Sequence, residues 1–291
     1  MPNIFVFAVL TVVAMLAPRA AAADALVARG TPSTVAIRVD EFGSVIVPVH
    51  INGSGPYHFL LDTGSSHSVL SQSLAEQLAL HFVAKTAVLT STGREWRPVV
   101  RLDKTTIGGA QSDGLLASVT PSSQLDAIAR AIDGIIGQDF LFAFNYTLDY
   151  RSRRLVWSAD KSDAGDIRLP LIAKGGRYLV QIDATGNAPR ALLVPDSGAS
   201  GFVAYERDGR TKLDVKSGSG TTGVHSLSGR QFVPTTMLRE LRLGSLVLRE
   251  QPVAVLVRER DDDVEGDGLL PLHLFASVSF NAREQCLVLR P

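Results

Sequence analysis

Phe59-Leu60-Leu61-Asp62-Thr63-Gly64-Ser65-Ser66 returns 134 residues later as Leu193-Val194-Pro195-Asp196-Ser197-Gly198-Ala199-Ser200. In both places a short apolar run delivers an acid into a small turn that contains glycine. An acid directly behind a buried strand is costly unless it is hydrogen-bonded or functional. Further out, Asp133-Gly134-Ile135-Ile136-Gly137 is answered at the same 134-residue spacing by Asp267-Gly268-Leu269-Leu270-Pro271. Ile107-Gly108 pairs with Leu243-Gly244, and Ser91-Thr92-Gly93-Arg94 with Leu227-Ser228-Gly229-Arg230, both at 136 residues. The features keep one order in both halves, so the chain is a duplication, and that decides the fold.

Around each acid the pattern is that of strands. Val45 to Ile51 and Phe59 to Leu61 are apolar and rich in β-branched residues, and Asn52-Gly53 between them is a strong hairpin signal. The second copy has Tyr178 to Ile182, a turn at Gly186-Asn187, and Ala191 to Val194. Short helices are predicted at Leu74 to Leu80, where Ser73 and Glu76 fit a capping box, and at Gln124 to Ile132. The remainder reads as short strands and turns, which gives a mostly β protein of two similar lobes. The predicted organisation is a leader over 1–23, a first lobe over 32–157, a linker over 158–170 and a second lobe over 171–291.

Composition narrows the chemistry. The chain has 291 residues, 45% of them hydrophobic and 20% charged, which is a globular mix and not a disordered one. Twenty-nine basic residues against 29 acidic ones, with no basic run, argue against binding nucleic acid through its phosphates. One cysteine, Cys286, excludes an intrachain disulfide framework and a multi-thiolate metal site. At the start, Ile4 to Ala17 is apolar except for Thr11, and the small residues Ala20 to Ala23 follow. Spanning a bilayer takes about 20 apolar residues, so this run is short for an anchor and reads as a secretory signal cut near Ala22 or Ala23. The expected mature protein is periplasmic or secreted, with no membrane span.

Two carboxyls, each at the tip of an equivalent loop, can meet on the axis of a two-fold pseudo-symmetric molecule. Forced together they cannot both ionise easily, so one keeps a proton. The ionised member can draw a proton from water while the protonated one donates to a substrate carbonyl. With these residues the chain resembles the pepsin/retropepsin superfamily of aspartic peptidases, in its bacterial exported form with two retropepsin-sized lobes. The resemblance runs from about Val45 to Leu289. It implies a bilobal acid-protease fold with catalytic Asp62 and Asp196 and no cofactor. The substrate it implies is a polypeptide held in extended form by a monomer. It also implies that Thr63 and Ser197 hydrogen-bond across to the opposite loop, beside Gly64, Ser65 and Gly198. Ile135, Ile136 and Gly137, with Leu269 and Leu270 in the second copy, would be the strands that complete a ψ-shaped loop.

Flap hairpins are expected at Leu89 to Val99, around Gly93, and at Val224 to Val233, around Gly229. Trp96 and Phe232 occupy matching places there and either line subsites or pack under the hairpins. The family pattern is broken by Pro271 where Gly is usual, by Pro195 before the second Asp, and by the lack of a flap Tyr. The alternative function is a peptide-binding module that keeps the bilobal fold without catalysis. Ser65 against Ala199 is one further asymmetry: a hydroxyl donating to Asp62 would favour its charged form and leave the shared proton on Asp196. Gly218 to Gly223 matches G-x-G-x-x-G, but a poor helix former follows, so no dinucleotide site is expected. The histidines lack a zinc-peptidase spacing and no G-x-S-x-G elbow occurs, so metallo- and serine hydrolases are not supported.

Overall fold

The computed structural model describes residues 32–90, 93–158, 165–183, 190–218, 220–227, 229–258 and 265–291, with the dipeptides 6–7 and 13–14. Most of the expected leader, the expected Gly186-Asn187 turn and residues 159–164 of the expected linker lie outside the described residues.

The first lobe opens with Val45–Ile51 and Ser54–Leu61, antiparallel through the Asn52-Gly53 turn. Asn52 and Gly53 have φ of 52° and 83°, the left-handed conformations that such a turn needs and that these two residues tolerate best. The hairpin Phe82–Thr90 with Gly93–Ile107 follows, and Ala110–Thr120 returns beside it to pair in parallel with Ser68–Ser71. The second lobe repeats the plan. Arg177–Ile182 and Ala191–Asp196 are followed by Phe202–Glu206, the hairpin Gly220–Ser226 with Gly229–Leu243, and Leu246–Val257.

The helices differ from expectation in instructive ways. The first spans Gln72–Gln77, and its cap is Ser71, whose hydroxyl accepts from Leu74 N–H; Glu76 bonds Gln72 instead of completing a capping box with Ser73. The helix expected at Gln124 to Ile132 is confined to Ser122–Asp126. Pro121 offers no side-chain cap, so little holds a longer helix. Leu125, Ile128 and Ile132 are nonetheless buried together, so the apolar spacing reported packing correctly. In the second lobe a tight Asp208-Gly209 turn, φ 54° and 71°, stands where the first lobe has Gln72–Gln77.

The lobes share a floor. One sheet runs Ile167–Lys174, Cys286–Arg290, Ser277–Asn281, Tyr146–Asp149, Arg154–Trp157 and Ser33–Ala36, with strands of the two halves meeting at its centre. There Tyr146 stacks on Phe280 at 4.9 Å, and Thr147 and Ser279 hydroxyls meet at 2.8 Å. The largest buried cluster passes from one lobe to the other through these residues. Hence the lobes are not independent bodies on a string, and the fold is mostly β and bilobal.

Candidate active site

Each acid is placed by a parallel strand that runs beside its own. Phe59–Leu61 pairs with Gly134–Ile136, and Leu193–Asp196 with Gly268–Pro271. The glycine that opens each of these strands has no room for a side chain: a Cβ on Gly134 would fall 2.3 Å from the Phe59 ring, and one on Gly268 2.1 Å from the Val203 carbonyl of the neighbouring strand Phe202–Glu206. The repeated acids before these glycines have a structural duty that the sequence reading missed. Asp133 accepts from His58 N–H and Asp267 from Leu192 N–H, at 2.8 and 2.9 Å, tying each ψ element to the strand that carries the site. The two prolines do not disturb the second loop. Pro271 lies opposite Asp196 in register, and Pro195 is used through its carbonyl, which accepts from Thr63 Oγ1 at 2.8 Å.

Asp62 and Asp196 are brought together, both wholly buried. Asp62 Oδ1 accepts from Gly64 and Ser65 N–H at 2.9 and 3.0 Å, and Asp196 Oδ1 from Gly198 and Ala199 N–H at 2.7 and 3.1 Å. The outer oxygens, Oδ2 of each, have no donor from the described residues. Gly64 and Gly198 make room for the opposite carboxyl: a Cβ on Gly64 would be 2.5 Å from Asp196 Cγ, and one on Gly198 3.2 Å from Asp62 Cγ. Beneath, the loops are locked reciprocally. Thr63 N–H donates to Ser197 Oγ at 3.1 Å, Ser197 N–H donates to Thr63 Oγ1 at 3.0 Å, and Ser197 Oγ donates to the Leu61 carbonyl at 2.6 Å. These are the cross-loop bonds expected of Thr63 and Ser197.

Burial pushes both carboxyls up. It carries Asp196 to about 6, opposed by the Gly198 N–H, the Asp62 carboxyl, the Ala199 N–H and the charge of Arg177. Burial and the charge of Asp196 raise Asp62 well above the ordinary range. Two carboxyls this close and this buried cannot both carry charge easily, so the pair holds on to one proton. The asymmetry expected from Ser65 has no hydrogen bond behind it. The reason is geometric: Ser65 Oγ donates to the His67 carbonyl at 2.8 Å and leaves Asp62 to backbone donors, which Asp196 matches.

Three supporting residues gave no sequence signal. Gln138, buried after Gly137, donates from Nε2 to the Thr63 carbonyl at 2.8 Å. Asp139 accepts from Ser68 N–H and Oγ at 2.8 and 2.7 Å, fixing the strand behind the first loop. Arg177, only 2% exposed, crosses from the second lobe and donates from Nε to the Gly64 carbonyl at 2.7 Å.

Where flap hairpins were expected, Phe82–Thr90 pairs antiparallel with Gly93–Ile107 and Gly220–Ser226 with Gly229–Leu243. Trp96 and Phe232 are 71% and 70% exposed, so neither packs under its hairpin, and Arg230 lies 4.7 Å over the Phe232 ring. The residue that does pack is Leu227, at the tip of the second hairpin. It is buried among Ile46, Leu60, Val69, Leu125 and Ile135 of the first lobe, while the His225 ring meets the Ala127 carbonyl at 3.0 Å. Gly220 to Gly223 lie in the strand Gly220–Ser226 and not at the opening of a helix, where a dinucleotide-binding loop would place them. Among the described residues no His, Cys, Asp and Glu group has the makings of a metal site.

The family-model comparison agrees with this construction. The family model described as aspartyl protease matches twice, over residues 47–140 and 180–273, each match containing one Asp loop and one ψ strand. A retropepsin-like aspartic protease from Rickettsia conorii is similar over 44% of this chain and 91% of its own, at 18% identity and a TM-score of 0.34. No curated protein matches the chain significantly. The two family matches together span more than half of the sequence and frame the paired loops: this chain belongs to the aspartyl protease family.

Proposed function

We propose that the protein is an exported aspartic endopeptidase in which Asp62 and Asp196 share one proton and activate a water against a peptide bond. The observation that carries this reading is the pair itself. Two buried carboxyls, one from each lobe, present outer oxygens without donors among the described residues, while their inner oxygens are fixed by backbone N–H groups. Asp196, the readier to ionise, takes a proton from water as its oxygen attacks the carbonyl carbon. Asp62 gives its proton to the carbonyl oxygen, and a neutral tetrahedral diol results. Asp196 then passes its proton to the amide nitrogen and the C–N bond breaks. Asp62 recovers a proton from one hydroxyl, the carbonyl reforms, and the pair is restored.

The hairpins supply strand edges on which an extended peptide can add through its main chain. Export rests on the apolar run Ile4 to Ala17 and the small residues after it. Incubation with a diverse peptide library across the acid-to-neutral range is expected to give internal cuts. The rate constant kcat/KM should rise through about pH 6 as Asp196 ionises and fall as Asp62 loses its proton. A library recovered intact at every pH would overturn the peptidase and favour the peptide-binding module. N-terminal sequencing of the protein recovered from cells is expected to begin near Asp24; a cytoplasmic protein with an intact leader would refute export.

A further inference from the structure

Arg177 is a charged side chain taken out of water beside two acids that are also out of water. Such a cation costs several kcal/mol of solvation unless partners replace the lost water. It begins the strand Arg177–Ile182 directly after Gly175-Gly176, whose φ of 56° and 72° fold the chain into a turn suited to glycine. The turn lands on the opposite lobe: a Cβ on Gly176 would lie 3.3 Å from Ser66 Cβ. From there Arg177 Nε donates to the Gly64 carbonyl at 2.7 Å, and Gly64 N–H in turn donates to Asp62 Oδ1 at 2.9 Å. One guanidinium of the second lobe is thus a single residue away from the first lobe's carboxylate. Ser44, which follows the equivalent left-handed glycine Gly43 in the first lobe, carries no charge, so this position supplies a cation in the second lobe and none in the first. Around Arg177 stand Asp62 and Asp196, whose negative charge favours its cation, Arg258, which opposes it, and the phenol of Tyr205, which burial keeps neutral; Tyr150 interacts with Asp196 as well.

We propose that Arg177 is the positioning residue of the pair: it pins the first lobe's Asp loop through the Gly64 carbonyl, and its charge favours the singly ionised pair over the doubly protonated one. This rests on the peptidase reading above. The two duties separate by substitution. Arg177→Met removes charge and hydrogen bond together, and Arg177→Lys keeps the charge but not the fork that reaches Gly64.

The test measures kcat/KM against pH for wild type and both variants, beside a ¹³C-carboxyl NMR titration of Asp62 and Asp196. With Arg177→Met both limbs of the profile, and the NMR midpoints, are expected to move to higher pH by about 1 unit or more. With Arg177→Lys the limbs stay within a few tenths of a unit while kcat falls, because the loop is less well held. Arg177→Gln carries the same expectation as Met and replaces it should Met fail to fold. Unchanged NMR midpoints in a folded Met or Gln variant overturn the proposal, as does a displacement with Lys as large as with Met. The NMR arm is independent of turnover. A wild type that cleaves nothing would therefore defeat the peptidase reading while the role of Arg177 is still decided.

Discussion

Gly64 lacks a side chain because the opposite lobe's carboxyl occupies the space that one would take. That is the general rule at this site: residues of each loop are explained by the other loop. Ser197→Ala removes the donor to Leu61 and the acceptor of Thr63 N–H, leaving buried groups without partners. It is expected to cost about 1–3 kcal/mol, read as a lower midpoint of denaturant unfolding. Ser65→Ala should leave the acid limb of the pH profile in place, since its hydroxyl is committed to His67; a displaced limb would contradict the geometry. The acids also bear on stability. Asp196 is raised from 3.8 to about 6 by burial, so the folded state binds its proton more tightly than the unfolded one. The stability this provides is full below about 3.8 and is lost as pH rises through about 6. Asp196→Asn, which stays neutral, is therefore expected to melt roughly 2–4 °C above wild type at neutral pH and to lose that advantage in acid. An equal difference at both pH values would contradict the burial argument. The Asp, Thr and Ser of these loops were legible because they repeat. Arg177 and Gln138 were not, because nothing near a lone Arg or Gln says which loop of another lobe it will reach.

At the scale of elements, the two hairpins are alike in sequence position and unlike in what they do. Leu227 anchors the second hairpin in an apolar pocket of the first lobe, and His225 adds a bond to Ala127. Leu227→Ala should loosen the strand Gly220–Ser226 and raise its amide hydrogen-exchange rates by roughly tenfold or more, leaving the shared floor unaffected. Unchanged exchange would mean that Leu227 is not an anchor. The aromatics drew attention in the sequence, yet Trp96 and Phe232 face solvent. Position within a repeat marks a hairpin, but the side of the ribbon a residue occupies depends on register, which the sequence leaves open. The capping error has a similar cause. Ser71 and Ser73 are both capable caps, and the end of the strand Ser68–Ser71 decides between them.

At the scale of the molecule, duplication was legible from collinear motifs and determined the two lobes. The shared floor was not, since its strands come from both halves and from Ser33–Ala36, outside the repeated motifs. Because Tyr146 and Phe280 join the halves, Phe280→Ala is expected to cost about 3–5 kcal/mol and to lower one common unfolding transition. Two separated transitions would show the lobes to be independent. The central claim is that each lobe contributes one indispensable carboxyl to a single site within one chain. Its most direct test is peptide cleavage by Asp62→Asn and Asp196→Asn, assayed singly and mixed. Each variant is expected to lose at least about 10²–10⁴-fold in kcat/KM, and mixing is expected to restore nothing. Activity retained by Asp196→Asn, or recovered on mixing, would contradict it.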